Sequence, residues 1–267
     1  MKQTFPLRLI FHQFLSSKEI KKITNTLKQQ LTYDRSVPLL TTSSRGISDT
    51  TGKASTIFLE HFSRPETILN NSYHAREKIS LNDSDMMKNR LYTSETSSLS
   101  NLADAMSKRI EHSTHLNLAS PNSASHFRVS WYGLGALVES HSDVYGVEEE
   151  KKELHSNFKK YYDTGDNLAT ILIWLNDVQH GGGTFFISPS KRQLIKPLKG
   201  SMLLWVNIEA SGRKSDFQEH GGCPVIKGSK FILGRWIYQY NQWKNIPCSI
   251  RKNAEIALPI LPIGINS

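Results

Sequence analysis

Leu168-Ala169-Thr170-Ile171-Leu172-Ile173-Trp174-Leu175-Asn176 decides how this chain is read. The segment is short, β-branched and aromatic, and the turn signal Gly181-Gly182-Gly183 follows it, so it predicts a strand. Residues 126–132, 201–207 and 231–238 share that character, with turn residues between them. Upstream the pattern is helical. Over residues 16–31, Ile20, Ile23, Leu27 and Leu31 fall on one face, and Ser16 with Glu19 has capping-box spacing. Leu99, Leu102, Ala103, Met106 and Ile110 predict a second helix over 97–112, with Ser97 or Ser98 as its cap. Residues 41–55, rich in Ser, Thr and Gly, read as a loop, and 64–90 are polar with little periodicity. Helices first and strands afterwards imply an α+β arrangement or a helix-supported β-sandwich, not alternating βαβ units.

The chain has 267 residues, 38% hydrophobic and 21% charged. That composition excludes collagen-like, coiled-coil and disulfide-dense scaffolds, and the length allows one large domain or two small ones. No internal repeat appears. The longest apolar run, 169–175, is far short of the ~20 residues a membrane span needs. The apolar stretch 5–15 is broken by Arg8, His12 and Gln13 and has no small-residue cleavage site, so it does not read as a signal peptide. The net charge of +9 raises nucleic-acid binding as a function. However, the basic clusters at 18–22 and 151–160 are interleaved with Glu, and no Arg-rich run or aromatic-basic RNA motif accompanies them. A solvated basic surface is the better reading. The two cysteines cannot make a zinc site alone; they are two thiols or one bridge.

His141-Ser142-Asp143 carries the chemistry. On a strand, residues two apart point to one face, so His141 and Asp143 can offer a nitrogen and a carboxylate oxygen to one point. A third ligand must come from elsewhere. Two histidines and one carboxylate cover one face of an octahedral ion and leave the other open, which suits Fe(II) oxygen chemistry. The bare motif is common by chance, and a surface histidine near an aspartate in a turn is the bland alternative. His220 is the downstream partner, in His220-Gly221-Gly222-Cys223-Pro224-Val225-Ile226-Lys227-Gly228-Ser229-Lys230.

A tyrosine-bearing strand ending in Tyr132-Gly133-Leu134-Gly135, the HxD motif, and a distal histidine followed ten residues on by lysine occur here in one order. In these the chain resembles the prolyl 4-hydroxylase family of iron- and 2-oxoglutarate-dependent dioxygenases, above all the catalytic domain of the collagen prolyl 4-hydroxylase alpha subunit. The resemblance implies a double-stranded β-helix (jelly-roll) core supported by N-terminal helices, mainly β within an α+β chain. It implies one catalytic domain over 1–267, with helical support over 1–125, the jelly-roll core over 126–248 and a tail over 249–267. It further implies that His141, Asp143 and His220 bind Fe(II), and that 2-oxoglutarate and dioxygen take the open positions. Lys230 would then meet the far carboxylate of 2-oxoglutarate in a charge-assisted hydrogen bond, and the Tyr132 hydroxyl would help hold it. A lysine pointing to solvent and a core tyrosine are the alternatives.

The implied activity is peptidyl-proline 4-hydroxylation, with ascorbate as reductant and a proline-rich or collagen-like polypeptide as substrate. The alternatives are a hydroxylase of a non-collagen protein and a catalytically silent peptide-binding jelly-roll. Trp174, Trp205 and Trp236 read as core and pocket wall. Tyr145, Tyr161, Tyr162, Trp243 and the 146–163 loop are candidates for the substrate groove, where a polyproline II segment would dock on aromatic surface. The loop itself is a mobile lid or an exposed charged insertion. Three positions depart from the family: Gly221-Gly222 for an Ala-containing pair, Phe231 for tryptophan and Arg235 for lysine; none removes a ligand. The sequence shows neither the N-terminal dimerisation region nor the helical peptide-binding domain of the collagen enzymes, which weighs against a protein disulfide isomerase-type beta subunit as partner. Cys223 and Cys248 match positions bridged in those enzymes. A bridge there would stabilise by about 3 kcal/mol and needs an oxidising compartment. That makes the endoplasmic reticulum lumen the expected location, with the cytoplasm as the alternative.

Overall fold

A computed structural model describes residues 7–33, 54–59, 94–144, 163–188, 192–246, 249–251, 254, 256 and 258. In chain order these form β1 (Arg8–Phe11), α1 (Ser17–Tyr33), β2 (Ala54–Leu59), α2 (Ser94–Thr114), β3 (Phe127–Tyr132), β4 (Val138–His141) and β5 (Asn167–Trp174). Then come β6 (His180–Gly181), β7 (Thr184–Ile187), β8 (Arg192–Ile195), β9 (Met202–Val206), β10 (Glu219–Gly222), β11 (Val225–Lys227) and β12 (Lys230–Tyr238).

The capping box at the first helix forms as the sequence predicts. The Ser16 N–H donates to Glu19 Oε2 at 2.8 Å, and the Glu19 N–H donates back to Ser16 Oγ at 3.3 Å. Arg109 ties α2 to this end by donating to the Phe14 carbonyl at 2.5 Å and to the Glu19 carboxylate. The second helix begins at Ser94, so Ser97 and Ser98 lie inside its first turns and do not cap it.

Six strands form a major sheet in the order β1-β9-β5-β12-β3-β2, and four form a minor sheet, β4-β10-β7-β8. Every pairing among the described strands is antiparallel. Apart from the β7–β8 pair, spatial neighbours are separated by long stretches of chain, as in the two packed sheets of a jelly-roll. β5 shows why its sequence is apolar almost throughout. Ala169, Ile171 and Ile173 pack with Leu204 and Leu233 against Ile20 and Ile23 of α1 and Met106 and Ile110 of α2. Leu172 and Trp174 face the other way, onto Leu203, Trp205, Ile232 and Tyr132, and meet Phe186 and Ile195 of the minor sheet. A central strand covered on both faces has no polar side to alternate.

Arg235 gives its departure from the family a structural role. It is buried on β12 and donates to the Ser125 carbonyl at 2.7 Å, to Ser107 Oγ of α2 at 2.5 Å and to the Leu118 carbonyl at 3.3 Å. A lysine has three donors on one nitrogen and cannot fork to three separate acceptors in this way.

The four main predicted strands are present within two residues at each end. Eight others carry too little local signal. β1 is a four-residue edge strand, Arg8 followed by three apolar residues, held by its register with β9, Arg8 opposite Trp205 through Phe11 opposite Met202. β2 begins at Ala54, inside the stretch expected to be a loop. The remainder of that stretch, and 64–90, lie outside the described residues. No helix among the described residues is long and apolar enough to cross a membrane.

Candidate metal centre

His220 on β10 stands directly opposite His141 at the end of β4. The next registered pair along β10 is Gly222 with Val138. The span from Val138 to His141 therefore covers one residue more than the span it faces, which is a β-bulge in β4. Strict alternation would turn Val138 and His141 to opposite faces; with the bulge, both turn inward. Asp143 lies beyond the end of β4. The two-apart spacing on one strand that the sequence suggests is thus replaced by a bulge and a turn, yet the donors still converge. His141 Nε2 is 3.7 Å from Asp143 Oδ1, and His220 Nε2 is 3.5 Å from Asp143 Oδ2. One ligand atom from each of the three residues lies within 4.8 Å of the others.

Both rings are oriented alike. His141 Nδ1 meets the Glu139 carbonyl at 2.8 Å, and His220 Nδ1 meets the Gln218 carbonyl at 2.9 Å. A carbonyl only accepts, so each Nδ1 donates to its carbonyl and each ring turns its Nε2 to the shared point. Burial holds the His220 pKa below its ordinary value, against the pull of Asp143, and favours the neutral imidazole a metal needs. Trp205 packs edge-on to the His220 ring at 4.7 Å, with Phe186 behind it at 5.7 Å. Asp143 Oδ2 accepts from Thr170 Oγ1 at 2.6 Å, and Thr170 Oγ1 accepts in turn from Asn207 Nδ2 at 2.9 Å. Asn167 Nδ2 donates to the Asp143 carbonyl at 2.7 Å. Thr170, Asn167 and Asn207 escape sequence reading, because nothing in their spacing links β5 and the end of β9 to the HxD motif. Two imidazoles and one braced carboxylate fit a divalent ion with an open face.

Lys230 and Tyr132 sit opposite each other in the β12–β3 ladder. The Lys230 ammonium is 5.5 Å from the centre of the Tyr132 ring, and both residues are only 5% exposed. Lys230 shares the inward face of Ile232, so it points into the pocket and not to solvent. Burial lowers its pKa from 10.5 to about 8, opposed by the neighbouring Cys223. Burial also raises the Tyr132 hydroxyl pKa. Among the described residues no carboxylate pairs with Lys230. Among the described residues the buried hydroxyl of Thr184, two residues before Phe186, finds no hydrogen-bond partner, nor do the indole N–H groups of Trp174 and Trp205.

Trp174 and Trp205 are buried as expected, and Trp236 is half-buried beneath the Arg128 guanidinium at 4.6 Å. Trp243 is exposed. Among the described residues Cys223 is in no disulfide. Cys248, Tyr145, Tyr161, Tyr162 and all of the 146–163 loop except Asp163 lie outside the described residues.

Residues 127–238 match the model of the 2OG-Fe(II) oxygenase superfamily. The chain is 28% identical over 152 residues to prolyl 4-hydroxylase subunit alpha-1 of Caenorhabditis elegans, covering 57% of this chain and 25% of the relative. It is 32% identical over 142 residues to the Homo sapiens subunit alpha-1, covering 53% and 24%. The match thus spans about a quarter of the length of these curated relatives. A viral collagen prolyl hydroxylase from Paramecium Bursaria Chlorella virus-1 superposes over 86% of this chain and 95% of its own, at 18% identity and a TM-score of 0.46. The family match contains His141, Asp143, His220 and Lys230 together, so over residues 127–238 the chain is similar to the 2OG-Fe(II) oxygenase superfamily, and over about half of its own length it is similar to prolyl 4-hydroxylase alpha subunits.

Proposed function

We propose that this chain is a peptidyl-proline 4-dioxygenase, in which His141, Asp143 and His220 hold Fe(II) and Lys230 receives the distal carboxylate of 2-oxoglutarate. The observation that carries the reading is the convergence of His141, Asp143 and His220, with Lys230 buried against Tyr132 in the same jelly-roll. Three donors converge with both Nε2 atoms turned to the Asp143 carboxylate, and among the described residues no carboxylate pairs with the buried Lys230 ammonium. Iron, 2-oxoglutarate and dioxygen supply the oxidising power to hydroxylate proline C4, with release of succinate and carbon dioxide. The chain's own part is to bind and exclude water. Trp174, Trp205 and Phe186 make the pocket wall apolar, which strengthens the Lys230–carboxylate attraction. Tyr132, against Lys230, is placed to assist at the same carboxylate.

The substrate is a collagen-like or other proline-rich polypeptide, for which exposed Trp243 offers aromatic surface of the kind that polyproline II segments use. Ascorbate serves as the reductant. Residues 1–267 act as one catalytic domain, with helical support over 1–125, the jelly-roll core over 126–248 and a tail over 249–267. A bridge between Cys223 and Cys248 would place the protein in the endoplasmic reticulum lumen, where a disulfide isomerase-type beta subunit could join it.

The test is direct. Incubation with Fe(II), 2-oxoglutarate, ascorbate and a (Pro-Pro-Gly)-type peptide should yield succinate and a gain of one oxygen on the peptide. His141→Ala should abolish both without unfolding the protein. No product on this or other proline-rich peptides, with no iron bound, overturns the reading; product only on other proline-rich peptides selects the non-collagen substrate.

A further inference from the structure

We propose that Gln218 and Ser142 form a positioning bridge that sets the relation between the two ligand-bearing segments of the metal centre. The inference rests on the reading of His141, Asp143 and His220 as metal ligands. Two of those ligands leave the end of β4, and the third sits on β10. The backbone ladder between these strands is interrupted by the bulge beside His141, and Asp143 lies past the last paired residue. Backbone pairing therefore leaves the Asp143 carboxylate without a fixed position relative to His220.

Gln218 closes that gap from both of its polar ends. Its carbonyl accepts the Nδ1 proton of His220 at 2.9 Å. Its side-chain Nε2 donates to Ser142 Oγ at 2.7 Å. The same Ser142 oxygen accepts the Val144 N–H at 3.1 Å, which closes the turn that carries Asp143. One residue thus fixes the ring of one ligand and the turn of another. Gln218 is 1% exposed, and among the described residues its buried Oε1 has no hydrogen-bond partner. An amide held in the interior with half its capacity unmet costs stability there, so its retention fits a geometric role better than a stabilising one. The residue is itself anchored from the major sheet. Arg8 on β1 donates to the Phe217 carbonyl and to Gln193 Oε1 at 2.9 Å, and its guanidinium lies 4.1 Å over the ring of Phe186, which packs on His220. Gln218 and Ser142 touch no reacting group and act through the ligands.

The test uses Co(II) as a spectroscopic probe, titrated into the full metal-free chain without oxygen or peptide. Gln218→Met and Ser142→Ala should each weaken Co(II) binding by about ten- to a hundredfold, the range for outer partners of metal ligands, and should alter the visible d–d bands. The double variant should bind no more weakly than the worse single, because either change breaks the same bridge. Ser142→Thr, which keeps the hydroxyl, should restore affinity and spectrum. If Gln218→Met fails to fold, Ser142→Ala at a half-buried turn carries the comparison. A fall in melting temperature with unchanged Co(II) affinity and bands overturns the proposal, as do additive losses. If the unsubstituted chain binds no Co(II), the proposed function falls and takes this inference with it; binding by the unsubstituted chain with indifferent variants removes this inference alone.

Discussion

Replacing Lys230 with methionine should make the protein more stable at neutral pH when metal and cosubstrate are absent. The ammonium is 5% exposed, and burial lowers its pKa from 10.5 to about 8. At ~1.4 kcal/mol per pH unit, holding the charged form inside costs ~3 kcal/mol. The sign follows from proton binding. Below about pH 8 both folded and unfolded chains keep the proton, so the whole cost is present. Between about 8 and 10.5 the unfolded chain holds a proton that the folded chain has released, and wild-type stability rises with pH. Above that window the cost is gone. Methionine keeps the length and apolar stem without the charge. Urea unfolding of both proteins from pH 7 to 10.5, with the difference taken at each pH, cancels the other titrating groups. The methionine variant should lead by ~3 kcal/mol at pH 7, and the lead should shrink towards zero near pH 10.5. The same variant should lose the thermal stabilisation that 2-oxoglutarate gives the wild type. A variant no more stable at pH 7, with a difference flat in pH, would refute the argument that this ammonium is desolvated and waiting for an anion.

Two further outcomes follow from single positions. A Cβ on Gly221 would stand 2.4 Å from Phe185 Cζ and 2.7 Å from the Val138 carbonyl oxygen. The ring can swing, but the paired strand cannot move freely, so Gly221→Ala should destabilise by about 1–3 kcal/mol in urea or thermal unfolding; an unchanged midpoint contradicts this packing. If Cys223 and Cys248 are bridged in the native protein, thiol titration of denatured, unreduced material should find no reactive thiol and two after reduction. Two thiols before reduction dispose of the bridge and of the case it makes for an oxidising compartment.

Much of the candidate site was legible in the chain because it depends on residue type and short spacing. The His-x-Asp motif, His220 and the lysine ten residues beyond it are all there to be read, and so are the capping box at Ser16 and the buried strand around Ile171. Residue chemistry points the His-x-Asp pair and His220 to a metal, while the role of Lys230 towards a carboxylate comes from the family resemblance. What the chain could not display is register. The sequence argument placed His141 and Asp143 on one face of one strand, whereas the convergence comes from a bulge that exists only in the pairing of β4 with β10. Thr170 and Asn207 brace Asp143 from strands that meet it only after folding. β1 has no periodic signal of its own and is specified by β9. Periodicity along a chain is a local property, while a bulge, a brace or the burial of Lys230 is a relation between strands remote in sequence. By itself the sequence determined which groups this protein can bring to an iron and a carboxylate; the tertiary structure decided where they point, because only the packed sheets set register and exclude water.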